Sequence, residues 1–157
     1  MASTPGATRR QARERALELL YEASAKGLAA PLVVDAQPTV PDAFAVDIVN
    51  GVDRHRSEID GLISRFARGW SLARMPVVDR LLLEMGGYEL LHRPDVPTGA
   101  VISEAVELAK RFSTEDSSRF VNGVLGRIAE EVREPGRAPA RGAPSAAPVP
   151  GEGIEGC

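Results

Sequence analysis

From Thr8 to Arg133 the large apolar residues of this chain return at every third or fourth position, with no sustained alternating run. A helix turns about 100° per residue, so this spacing gathers them on one face, whereas a half-buried strand needs strict alternation. No β-branched block bounded by turn residues interrupts the pattern. The chain therefore reads as all-α, a compact bundle of about seven helices. Aromatic residues make up only 4%, so the core must be built mainly from Leu, Ile, Val and Ala.

Thr8 and Gln11 fit a capping box that starts a first helix running to about Lys26. Ala12, Ala16, Leu19, Leu20 and Ala23 form its apolar stripe, and Glu14, Glu18 and Glu22 its wet face. Arg9 and Arg13 fall on the meridian of Ala16 and Leu20, with Arg10 one step round, so the helix start is expected to overhang the core. Cations at a helix N-terminus oppose the macrodipole. An anionic polymer would account for them, because Arg matches phosphate oxygens bidentately and stacks on bases. A snorkelling, solvated helix start is the plain alternative.

Gly27 closes this helix, and residues 28–37 suit a short one before Pro38 and Pro41. From Asp42 onward Phe44, Ile48, Val52, His55, Ile59 and Phe66 predict one long helix bent near Gly51, with His55 a core or boundary residue. Gly69 ends it, and Trp70 and Leu72 supply bulk at the corner. Pro76 suits the first turn of a helix that stops near His92, before Pro94. Its broad stripe runs from Val77 to Leu91, and Leu83 and Leu90 cover the opposite side next to Asp79. A helix apolar nearly all round is either central or has a partner. Gly86 and Gly87 predict close approach of another backbone. Glu84 interrupts the stripe without a local reason. A further helix spans about Thr98–Phe112, with Glu104 and Glu107 outward and Glu107 placed to pair with Arg111.

The last helix starts near Asp116 or Ser117, either of which suits an N-cap. Val121, Val124, Leu125, Ile128 and Val132 share one stripe. Phe120 lies about 40° outside it, beside Arg119, Gly123 and Arg127. An aromatic ring among arginines on a helix shoulder resembles a platform for a stacked base. A peripheral core Phe with two solvated arginines is the alternative. Gly123 and Gly126 are spaced like packing glycines.

The totals narrow the function classes. A net charge of -3 advertises no global basic field, so any nucleic-acid surface must be local. The one cysteine, Cys157, excludes a disulfide framework, and His55 and His92 lie too far apart in sequence to suggest a metal site. No phosphate-cradling loop and no nucleophile with a nearby base is present, so no enzyme and no cofactor are expected. Residues 1–7 read as a loose arm without an apolar targeting segment, and the protein is expected to be cytoplasmic with no membrane partner. Residues 134–157 hold five Pro, five Gly and five Ala among 24, the composition of a disordered tail.

Several of these stretches carry a family resemblance. Residues 8–21 (Thr-Arg-Arg-Gln-Ala-Arg-Glu-Arg-Ala-Leu-Glu-Leu-Leu-Tyr), the Val-Asp-Arg…Tyr-Glu-Leu of 78–90 and Asp-Val-Pro at 95–97 resemble the NusB transcription antitermination family. So do Glu-Ala-Val-Glu-Leu-Ala-Lys at 104–110 and Ser-Thr-Glu-Asp-Ser…Phe-Val-Asn-Gly-Val-Leu at 113–125, and the order and spacing hold across 8–133. The resemblance implies two small helical sub-bundles packed across each other and a non-catalytic role. It implies binding of boxA-type single-stranded RNA in nascent ribosomal RNA transcripts together with the ribosomal protein NusE, and indirect contact with the elongating RNA polymerase complex. Carried over, the RNA positions are Arg9, Arg10, Arg13, Asp116, Ser117, Arg119 and Phe120, and the NusE positions are Asp79 and Leu83. The two helix starts are expected to form one cationic and aromatic patch. Gln11 departs from the arginine run of many members. The resemblance leaves monomer and homodimer open. A purely protein-binding module, or the accessory domain of an RNA methyltransferase acting in trans, are the rival readings.

Overall fold

Among the described residues one buried helix organises the fold: five others pack against it, and a short one packs on two of those. In order they are α1 (Arg9–Lys26), α2 (Ala30–Asp35), α3 (Ala43–Arg54), α4 (Arg56–Phe66), α5 (Val77–His92), α6 (Thr98–Phe112) and α7 (Glu115–Arg133), with a 3-10 turn at Leu72–Arg74. The computed structural model describes residues 8–133; the arm expected at 1–7 and the tail expected at 134–157 lie outside the described residues. No strand occurs among the described residues. Helices α1, α2 and α3 pack as one sub-bundle, and α4, α6 and α7 gather with α5 as a second, while α5 also touches α1 and α3.

The central helix is the one read as apolar nearly all round. Every residue from Leu81 to Leu90 is buried. Its second apolar side is therefore covered by the protein itself: Leu83 is 0% exposed and Asp79 4%. Gly86 and Gly87 do allow close approach, but of side chains and not of a backbone. A Cβ would stand 2.7 Å from Leu125 at Gly86 and 2.9 Å from Ile59 at Gly87. Glu84 also gains its reason here, since its carboxylate meets Arg56 at 2.9 Å and Arg80 at 3.5 Å. Burial, then a hydrogen bond with Asp60, pushes its pKa up to about 7. Desolvation favours the neutral form, and two facing carboxyls sharing one proton avoid a second buried charge.

The stretch from Asp42 is two helices, not one. Asp42 caps α3 by accepting from the Phe44 N–H at 2.8 Å, and the break falls at His55. Gly51 has another use, because a Cβ there would stand 2.2 Å from the Tyr88 ring. The two histidines, distant in sequence, stack with centroids 3.9 Å apart. His92 Nε2 lies 2.9 Å from Glu58 Oε1, and the ligand-type atoms of His55, Glu58 and His92 all fall within 4.8 Å of one another. At the far end of α7 the Arg133 guanidinium donates to the carbonyls of Glu89, Leu90, Arg93 and Val96. It satisfies orphan carbonyls at the exit of α5 and locks α7 onto it.

Candidate nucleic-acid interface

The capping box forms as expected, with the Gln11 N–H donating to Thr8 Oγ1 at 3.0 Å and the Thr8 N–H to Gln11 Oε1 at 2.9 Å. The helix it opens does not overhang the core. Arg13 is 4% exposed and forms a bidentate pair with Glu89 of α5, at 2.9 and 2.8 Å. It sits on the core meridian because a buried carboxylate waits there, so it is unavailable to an external phosphate. Arg10 is exposed and grips Glu104 of α6 through two bonds, at 2.9 and 3.0 Å. That hydrogen bond holds the Glu104 carboxyl below its usual range. Glu14, in turn, takes Arg111 at 2.9 Å, the arginine assigned from spacing to Glu107. Arg9 turns the other way, its guanidinium 4.0 Å from the Phe44 ring centroid.

At the start of α7 the cap is Thr114, two or three residues before the expected position: its hydroxyl accepts from the Ser117 N–H at 3.0 Å. Asp116 is freed from capping and pairs with Arg119, both well exposed. Ser117 is buried. Its hydroxyl donates to Asp79 Oδ2 at 2.8 Å, while Ser113 donates to Oδ1 at 2.8 Å. Asp79 and Ser117 thus join α5 to the start of α7 and show only a small edge, at the bottom of a depression beside Phe120; Leu83 lies deeper still and offers a partner nothing to touch. Phe120 is half-buried. It lines a depression of about 380 Å³ with Asp79, Asp116, Ser117 and Trp70, and its ring lies 5.9 Å from that of Trp70, tilted by 53°.

The two helix starts do not share one depression. The hollow at Phe120 contains no residue of α1. Arg10 instead lines a shallow groove over α6 that reaches Asn122 of α7. Between Phe120 and Asn122, around the same helix, run Asp116, Gly123 and Arg119, all exposed. A Cβ at Gly123 or Gly126 would meet nothing within 4 Å, so these are not packing glycines. They leave the strip that connects hollow and groove smooth.

Residues 10–130 match the sequence profile of the NusB family. The chain belongs to the NusB family. It is 48% identical over 130 residues to the transcription antitermination protein NusB of Kineococcus radiotolerans, covering 79% of this chain and 94% of that one. Against NusB of Saccharopolyspora erythraea it is 50% identical over 127 residues, 77% and 86% of the two chains. In three dimensions it is similar to T. maritima NusB, with TM-score 0.73, 34% identity and 86% and 97% coverage. It is also similar to a chain in the crystal structure of antitermination factors NusB and NusE in complex with dsRNA, with TM-score 0.67, 30% identity and 78% and 96% coverage. The NusB family is non-catalytic, and the fold is the all-α arrangement of NusB proteins. No helix among the described residues is long and apolar enough to cross a membrane.

Two lining residues, Trp70 and Asn122, lie outside the set expected from the sequence. Trp70, bulk at a corner by its place in the sequence, is 51% exposed. The signal was present in the sequence: a lone Trp directly after a glycine, in a chain so poor in aromatics.

Proposed function

We propose that this protein is a non-catalytic transcription antitermination adaptor. It binds boxA-type single-stranded RNA together with ribosomal protein NusE and acts in the cytoplasm on the elongating RNA polymerase complex. The observation that carries this reading is the hollow at the start of α7, where the half-buried Phe120 lies beside a largely exposed strip that includes Gly123 and Gly126. There Phe120 stacks a base, Asp116 and Arg119 line the path that leads away from it, and Arg9 and Arg10, outside the hollow at the start of α1, hold phosphates further along the RNA. Arg10 does so by exchanging Glu104 for a phosphate oxygen, which gives a salt-dependent affinity. Arg13 and Ser117 act from beneath, fixing α1 and α7 on α5. NusE supplies a second set of contacts, so each ligand raises the affinity for the other by the same factor.

A filter-binding titration with boxA RNA and a scrambled control, with and without NusE, tests the reading. Preference for boxA and enhancement by NusE are expected, and Arg10→Ala should lower the dependence of log affinity on log salt by about one. Equal retention of both RNAs, unaffected by NusE, would leave only a protein-binding module.

A further inference from the structure

We propose that Trp70 and Phe120 are the two faces of a clamp for one nucleobase of a single-stranded RNA, with the Asp79 carboxylate reading the edge of that base. The inference rests on the RNA-binding reading above and adds to it a residue and a ligand class.

Trp70 is half exposed although nothing in the fold requires it. Gly69, at φ 80°, turns the chain after α4, and the Trp70 N–H donates to the Ala67 carbonyl at 3.0 Å. The indole is thereby held over the start of α7. Its ring and that of Phe120 form a V, tilted by 53° with centroids 5.9 Å apart. At this separation the two rings touch each other in a tilted contact. A planar guest replaces that contact when the exposed indole rotates away and the two faces close onto it. Stacking on two aromatic rings is the means by which proteins hold unpaired bases, and it tolerates any base.

Selectivity comes from the floor. Asp79 is buried there, both oxygens accept serine hydroxyls, and no cation pairs with it among the described residues. Each carboxylate oxygen has two acceptor sites, so each retains one. A floor with acceptors only favours a base edge with adjacent N–H donors, which guanine presents through its ring N–H and its amino group. Around the rim, Arg68 and Arg74 flank Trp70 in sequence, and Arg127 follows Phe120 on the same meridian of α7. All three are exposed and none pairs with a carboxylate among the described residues, which suits the phosphates on either side of a clamped nucleotide.

Trp70 is the one tryptophan of the chain, so its emission reports on this site alone. The full chain is titrated with a guanosine-containing single-stranded boxA oligonucleotide and its inosine-substituted twin, following emission and filter retention together. Quenching should follow the retention isotherm. Trp70→Leu and Phe120→Leu should each weaken binding about ten-fold with little further loss in the double variant, and inosine should bind several-fold more weakly. Thermal melts of both variants should stay within a few degrees of the parent, since one ring is exposed and the other peripheral. Retention of RNA with unchanged emission and unchanged affinity of Trp70→Leu would remove the clamp and leave the RNA-binding reading standing. Absence of retention, with and without NusE, would remove the reading beneath it. Quenching by NusE alone, with none by RNA, would assign the hollow to a protein side chain and overturn the proposal.

Discussion

At the start of α1, guanidinium groups meet groups of the protein itself: Arg13 meets Glu89, Arg10 meets Glu104, and Arg9 lies over Phe44. At the start of α7 a cap, a pair of buried hydroxyls and one exposed ion pair leave a hollow whose aromatic walls have no third partner. In the sequence both stretches look like ligand sites, and α1 looks the richer. Counting arginines misleads because a cation held by an internal carboxylate stabilises the fold before it can attract a ligand. An unfilled hollow is a second kind of signal, and one lies at the start of α7.

The largest expected effect is on the α1 side. Arg13→Met leaves Glu89 buried and unpaired, which should cost about 3–5 kcal/mol in urea unfolding. Arg13→Met with Glu89→Met should recover most of it. A single variant as stable as the parent would break the comparison, since Arg13 would then be free for a ligand.

Glu84 extends the contrast, being a buried carboxylate with two arginines and still a raised pKa. Its folded value of about 7 lies above the ordinary 4.5. The neutral form is therefore favoured by folding, and its contribution is fully present below pH 4.5 and lost as pH rises through 7. That amounts to about 3 kcal/mol at most. Chemical denaturation of Glu84→Gln across this window should show a flatter pH profile than the parent, and parallel profiles would refute the assignment.

On the α7 side, Phe120→Ala should weaken boxA binding about ten-fold while leaving the far-ultraviolet dichroism spectrum unchanged. A last pair of effects separates glycines that pack from glycines that do not. Gly123→Ala, with nothing near its Cβ, should raise stability by up to about 1 kcal/mol, read as a higher melting temperature. Gly86→Ala, pressed onto Leu125, should lower it by about 1–3 kcal/mol. Identical signs would erase the distinction between the two helices.

Much of the fold was legible because helix signals are local. The capping box at Thr8, the left-handed Gly27, Pro76 before α5 and the stripe of α7 each involve residues within a turn or two. Boundaries failed where a tertiary contact intervened: the chain breaks at His55, which stacks on His92, while Gly51 clears a place for Tyr88. The site was half legible. Phe120 left its stripe visibly, and periodicity put it on the correct shoulder. Arg13 stood out too, but for the wrong reason.

The sequence alone determined the all-α character of the described residues and, through its motifs, the NusB family. Spacing along a helix is a property of neighbours. Tertiary structure decided which arginines remain available, because Arg13 and Glu89 are 76 residues apart and meet only where α1 crosses α5. It also decided that Trp70 and Phe120 face one hollow, since helical periodicity fixes the face of each helix but not what stands opposite it.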